Sequence, residues 1–227
     1  YKTLADARAA VDAIYAPIRT GNVFLGPYFL QVEIMADYAE GRGSTAAVGE
    51  YQGLDGTNIG RTELLWAGFY QSISYANIAI EKIPEMTTAS SQQKSQLVAE
   101  ARFMRAFNYY HLVRNYGAVP LLLATVNDYS GRKPVNDVYA AIIEDLKVGE
   151  LDLPDMPAQF GRPTRWASKS LLAEVYLTTG NFTEAKKKSE EVIASNKFNL
   201  LEVRKADDYN NIFGASANGT AEEIFYL

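Results

Sequence analysis

The chain has 227 residues, no cysteine and a formal net charge of −5. The missing cysteines exclude disulfides and thiolate metal sites within it, and the acidic balance, with Lys186 to Lys188 as the one basic run, excludes a nucleic-acid patch. No run of about 18 apolar residues exists to span a membrane, so with 48% hydrophobic residues the sequence describes a folded body of one large or two small domains.

In chain order, Leu4 to Arg19 carries Leu4, Ala7, Val11, Ile14 and Ile18 on one helical stripe. Asp6 sits near its positive end, and Gly21 and Asn22 end it. A second helical piece, Tyr28 to Tyr38, places Phe29, Val32 and Ala36 together. Gly41 to Gly60 has neither helical nor strand period and is rich in Gly, Ser, Thr, Asn and Asp. A loop of that length in a compact domain is usually functional or mobile. Thr62 to Ile83 is a long helix with Leu65, Phe69, Ile73, Ala76, Ile80 and Ile83 as its core stripe, and Trp66, Tyr70 and Asn77 on a second face. Pro84 ends it.

After a polar turn, Thr87 to Gln93, comes the stretch on which the chain is organised, Val98 to Leu122. It is helical to Tyr116, where Gly117 and Pro120 stop it. Phe103, Phe107, Tyr110 and Val113 form one stripe, Ala99, Met104, Ala106, Tyr109 and Leu112 add other sides, and Arg102, Arg105, Asn108 and His111 drift around the axis. No single wet face results, so this helix is expected between several neighbours. Leu121 to Asn136 is a connector. Asn136 or Asp137 is expected to cap a helix running to about Leu151. Leu153 to Pro163 is a Pro-rich loop. Thr164 is expected to cap Arg165 to Thr179, with Gly180 as its stop, and Thr183 to cap Glu184 to Ser195. Ala173, Tyr176, Gly180, Phe182 and Ala185, with Ser189 and Val192, fall at tetratricopeptide spacings, the clearest repeat pair being 165–195. Such a pair cannot bury its apolar side alone. From Asn196 the chain turns polar and irregular, closing on a strand-like run from Glu223.

The sequence EARFMRAFNYYHLVRNYGAVPLL resembles the signature helix of the SusD/RagB family of outer-membrane nutrient-binding lipoproteins. Glu100, Ala101, Arg102, Phe103, Arg105, Ala106, Tyr109, Tyr110, Tyr116, Gly117, Val119 and Pro120 fill that pattern. Patches at Ile34 to Ser44, Leu65 to Ile83 and Arg162 to Leu200 extend the resemblance. It implies an all-α fold of tetratricopeptide-like helical repeats with long irregular loops. It places residues 1–227 as the N-terminal helical-repeat region of a longer protein, with signal, lipid anchor and C-terminal half outside this chain. The implied function is capture of glycans or another nutrient at the surface of the outer membrane, without catalysis or cofactor. The implied partner is a SusC-like TonB-dependent transporter, and the implied attachment is an N-terminal lipid anchor.

The residues themselves point to little chemistry. One histidine, His111, excludes a His-rich metal site and gives no triad; it is expected to be a partly buried, hydrogen-bonded helix residue. Asp37, Glu40, Asp55 and Glu63 flank the long loop, but nothing in their spacing sets the separation a glycosidase pair needs. Arg102 and Arg105 are expected to pair with a carboxylate, Asp37 being a candidate, or with carbonyls at chain ends. Lys186 to Lys188 is expected to face solvent. Aromatics are the suggestive excess, with 15 Tyr, 10 Phe and 2 Trp; sugar faces stack on exposed rings, with amides and Arg nearby for hydroxyls. Most rings lie on core stripes. Those outside them, Tyr38, Tyr51 and Trp66, with Arg42 and Asn58 as polar company, are the candidate ligand-binding residues. The rival reading is a tetratricopeptide scaffold for a peptide or protein partner. It wants a concave face of polar side chains where these helices carry bulky aromatics.

Overall fold

A computed structural model describes residues 1–19, 23–36, 38–53, 55–56, 59–126, 131–157, 159–214 and 219–226. Its helices are α1 (Leu4–Arg19), a π turn (Phe24–Tyr28) running into α2 (Phe29–Val32), a 3-10 turn (Gly43–Thr45) running into α3 (Ala46–Gly49), α4 (Ile59–Lys82), α5 (Ser91–Tyr116), α6 (Val135–Asp152), α7 (Arg165–Thr178), α8 (Phe182–Ala194), and a 3-10 turn (Ala206–Tyr209) running into α9 (Asn210–Phe213). Among the described residues the β contact is a single isolated bridge, Val119 to Lys133. The fold is all-α and tetratricopeptide-like.

The long helices pack in sequence: α1 on α4, α4 on α5, α5 on α6, α6 on α7 and α7 on α8, with α1 also reaching α5. This makes α5 the centre, as its lack of a wet face requires. Its buried positions run all the way around, from Leu97 and Ala99 through Phe103, Met104 and Tyr109 to Leu112 and Val113. A capping box starts it: Ser90 Oγ accepts from Gln93 N and Gln93 Oε1 from Ser90 N. Gly117 stops it at φ 69° and ψ −127°, outside the ordinary left-handed helical well and open only to glycine.

Polar residues inside the bundle join its helices. Ser72 Oγ donates to Ile14 O (2.7 Å) and accepts from Asn108 Nδ2 (2.9 Å), which ties α1, α4 and α5 together. The connector after Pro120 has no regular partner for its backbone, so side chains supply one. Tyr109 Oη donates to Leu122 O and accepts from Leu122 N, Asn77 Nδ2 donates to Leu122 O and Ala124 O, and Arg105 Nη1 donates to Leu123 O. The conspicuous Asn77, Arg105 and Tyr109 therefore serve the scaffold.

Several local expectations are corrected. Asn181 caps α8, its Oδ1 accepting from Glu184 N (3.4 Å), where Thr183 was expected. Pro134 takes the N-cap of α6 with no side-chain cap, because its fixed φ and carbonyl start the helix without help from Asn136 or Asp137. Thr164 caps α7 as expected, accepting from Ala167 N (3.3 Å). Lys188 turns inward to Glu150, while Lys186 and Lys187 stay in solvent. Helical periodicity separates a residue from its neighbours in a charge run, which composition alone does not reveal. Phe182 is 66% exposed. Among the described residues the run from Glu223 makes no ladder; Phe225 instead packs edge-on to Phe103 and Phe107.

Close approach of α6 and α7 depends on Gly149. A Cβ there would stand 2.2 Å from Ser168 Oγ and 3.3 Å from Leu153 Cδ1. Gly149→Ala gains up to about 1 kcal/mol of helix propensity and forces an overpacked contact costing typically about 1–3 kcal/mol. The expected net result is a lower denaturation midpoint. Because Ser168 Oγ is buried with no hydrogen-bond partner among the described residues, adding Ser168→Ala should recover most of the loss. A Gly149→Ala protein as stable as the parent rejects this account of the interface.

Candidate functional site

The segment expected to be irregular, Gly41 to Gly60, is partly built. Arg61, in the first turn of α4, donates from Nη2 to Ser44 Oγ (2.8 Å) and from Nη1 to Ser44 O (3.2 Å). Thr45 Oγ1 accepts from Arg42 N (2.9 Å) and donates to Arg42 O (2.8 Å), closing the 3-10 turn. Two glycines let this turn and α3 settle on Ile34, itself 6% exposed. A Cβ on Gly49 would lie 2.9 Å from Ile34 Cγ2, and one on Gly41 would lie 2.4 Å from Thr45 O. The short helical turns escape a reading by periodicity because neither is long enough to show a period.

On this platform Tyr38 is 75% and Tyr51 72% exposed. Tyr51 adopts φ 55°, a left-handed backbone that is unusual for a bulky residue. Its hydroxyl donates to Met35 O, which ties the ring back to the end of the α2 segment. Strain of this kind, of order 1–3 kcal/mol, persists where the surroundings over-determine it and is found at binding sites. The Arg42 guanidinium lies 3.5 Å from Glu40, both side chains being largely in solvent. Such a pair is worth at most about 1 kcal/mol, so Arg42 remains available to a ligand. Two exposed rings and a weakly engaged cation on a pinned loop can stack and hydrogen-bond, and no step of bond-making chemistry is needed. Asn58 lies outside the described residues, as does Asp37.

Trp66 belongs to a different neighbourhood. It is half-buried, with ring centroids 4.9 Å from Tyr70 and 5.1 Å from Tyr116. Tyr116 Oη donates to Thr62 O (2.7 Å) and Tyr70 Oη to Pro120 O (2.6 Å). Burial pushes the Tyr116 hydroxyl up to about 12. Part of the Trp66 ring is thus spent on joining α4 to the end of α5. Tyr38, Arg42 and Tyr51 lie on the segment before α4, and Trp66 lies on α4 itself.

Among the described residues the buried charges are all partnered, which argues for scaffold. Arg105 forks onto Asp145 of α6, Nε to Oδ2 at 2.7 Å and Nη2 to Oδ1 at 2.8 Å, and Arg102 reaches the same carboxylate at 3.3 Å. Among the described residues the counter-ion is Asp145, and the Asp37 candidate lies outside them; on a helical stripe among apolar neighbours Asp145 gave no long-range signal. Glu100 collects Arg8 (2.6 and 2.7 Å), the Tyr15 hydroxyl (2.8 Å) and Arg162 (3.1 Å). His111 packs among Phe24, Tyr28, Phe69 and Phe107, with Nδ1 3.0 Å from the Tyr28 hydroxyl. Burial pushes its pKa down to about 3, with Arg114 adding repulsion. The imidazole is therefore neutral at neutral pH, as fits a hydrogen-bonded packing residue. Two further rings carry no helical-stripe signal in the sequence: Phe160, 78% exposed in the Pro-rich loop, and Trp166 at the start of α7. An aromatic inside a Pro/Gly loop was the available signal for Phe160.

Residues 31–177 match a SusD-like family model described as starch-binding and associating with the outer membrane. A SusD-like protein, P2, of Formosa agariphila is 31% identical over an alignment that covers 100% of this chain and 46% of the relative. A SusD superfamily protein of Bacteroides vulgatus superposes with a TM-score of 0.86 at 21% identity, covering 100% of this chain and 50% of that one. A laminarin-binding SusD-like protein superposes with a TM-score of 0.83 at 24% identity, covering 99% of this chain and 51% of that one. The chain spans about half the length of these relatives.

Proposed function

We propose a function from one premise: this chain belongs to the SusD-like family. On that premise it captures an oligo- or polysaccharide at the outer face of the outer membrane. A SusC-like TonB-dependent transporter takes the glycan from it, and a lipid anchor outside this sequence holds it to the membrane. The family model's description and the laminarin-binding relative support the ligand class. No helix among the described residues is long and apolar enough to cross a membrane. The glycan lies over the loop platform, stacking on Tyr38 and Tyr51, with Arg42 and Asn58 at its hydroxyls and Trp66 at the edge. This work is binding alone and needs no cofactor.

The observation that carries the reading is Tyr51: a mostly exposed ring held in a strained backbone by its own hydroxyl. A preformed aromatic platform costs a ligand little ordering entropy. The test is calorimetric titration of the chain with laminarin, starch and a panel of soluble polysaccharides. Binding of at least one glycan is expected. Tyr51→Ala should weaken it about 5- to 150-fold, since losing a stacked ring is worth on the order of 1–3 kcal/mol. Trp66→Ala should weaken it less. Glycan binding untouched by Tyr51→Ala removes the platform from the site, and binding of no glycan by the chain removes the reading.

A further inference from the structure

Away from the loop platform, the Pro-rich loop before α7 and the segment 219–226 enclose a hollow of about 290 Å³. Its walls are aromatic, from Phe160, Trp166, Phe198 and Tyr226. Its size is at the low end of small-ligand pockets, which run to roughly 300–1,000 Å³, so it suits one ring and not a chain. The walls are fixed. Trp166 Nε1 donates to Asp155 Oδ1 (2.9 Å), and Asp155 Oδ2 holds Lys197 (2.7 Å). Phe225 anchors the far wall to Phe103 with ring centroids 5.0 Å apart, and Asn199 N donates to Ala221 O (2.9 Å).

The polar groups narrow the occupant further. The charged groups at the rim already have partners: Asp155 and Lys197 have each other, Arg162 has Glu100 and Asp12, and Glu223 Oε2 accepts from Thr220 N (2.8 Å). The Thr220 and Tyr226 hydroxyls, by contrast, are buried with no hydrogen-bond partner among the described residues. Each such group costs about 1–3 kcal/mol, and a purely apolar occupant would leave that cost standing. Phe160 supplies access. Its ring covers the backbone beside Thr220, where a Cβ on Gly219 would stand 2.6 Å from Phe160 Cε1. It precedes Gly161, whose φ is 78°.

We propose that this hollow is a second binding site, for a single neutral sugar ring. The ring's apolar face lies on the aromatic wall, its hydroxyls pair with Thr220 and Tyr226, and Phe160 swings out to admit it. The site is formed by other elements than the Tyr51 platform and stands or falls separately from it.

The sequence has two tryptophans, so the indole N–H region of a proton–nitrogen correlation spectrum reports the site directly. The intact chain is titrated with glucose, galactose and mannose, and with phenol as an apolar-ring rival. The Trp166 peak is expected to shift saturably with at least one hexose. Thr220→Val or Tyr226→Phe, which keep the shape and remove one hydroxyl, should weaken that response roughly tenfold; thermal melts of both variants check that the fold is retained. Tyr51→Ala should leave the response unchanged while reducing polysaccharide binding, so failure of one site is distinguishable from failure of the other. A Trp166 peak that moves with no hexose, that moves in both hydroxyl variants as readily as in the parent, or that responds to phenol alone overturns the proposal.

Discussion

Asp145→Ala should lower the unfolding free energy by about 3–5 kcal/mol, the usual result of leaving a buried charge without its partner. The Arg105 side chain is 6% exposed, and Asp145 takes two of its hydrogen bonds, at 2.7 and 2.8 Å. The rest go to Asn77 Oδ1 (2.7 Å) and Leu123 O (2.9 Å), neither of which carries charge. With typical domain stabilities of about 5–15 kcal/mol, the loss is a large share of the total. Denaturant unfolding measures it, with a lower midpoint at an unchanged slope showing that stability alone has changed. The double variant Arg105→Met with Asp145→Leu removes both charges, and it should be less destabilised than Asp145→Ala. A double variant as unstable as the sum of the singles would mean the pair is not a coupled unit.

Glu100→Gln should be nearly as damaging, by about 3 kcal/mol, for a different reason. The side chain keeps its shape and its acceptor oxygen but no longer offsets two guanidinium groups, those of Arg8 and Arg162. These cations then face each other across α1 and the loop before α7, and the Arg162 stack on Tyr15, 4.7 Å from the ring centroid, weakens with them. The neighbouring Asp12 contacts the same arginines but is 45% exposed. Asp12→Asn should therefore cost under about 1 kcal/mol, as surface pairs do. Hydrogen exchange in α1 is the readout. Equal protection of α1 in the Glu100→Gln and parent proteins would sink the idea that Glu100 holds α1 down.

How much of this was legible in the sequence follows the range of each force. The central position of α5 could be read from Phe103, Phe107 and Tyr110 and the absence of a polar face, because burial leaves a periodic trace. The stops at Gly117 and Gly180 and the Thr164 cap could be read because they are local. Asp145 and Arg162 could not be matched to Arg105 and Glu100, since ion pairs between distant residues leave no spacing. Thr183 and Asn181 are both plausible caps two residues apart, and only the backbone decides between them. The loop platform was half legible. Tyr38, Arg42 and Tyr51 stood out for lying off the helical stripes. Nothing in the sequence indicated that Ile34, Gly49 and Arg61 would seat their loop. Trp66 was placed off the core stripe correctly, and its packing on Tyr70 and Tyr116 became visible only in three dimensions. The second aromatic hollow was invisible, because its walls come from segments far apart in the chain.

The Glu100 cluster also sets an order of assembly. Helices α4, α5 and α6 each pack on the helix that follows in sequence, so they can pair as they are synthesised. Glu100 instead gathers Arg8 from 92 residues upstream and Arg162 from 62 residues downstream. Contacts that close such long loops form late and slow folding. During synthesis, α1 must therefore wait, partly unsealed, until the loop before α7 has emerged. A growing chain stalled before Arg162 leaves a buried carboxylate short of one of its two cations, and its first helix is the part exposed to proteases.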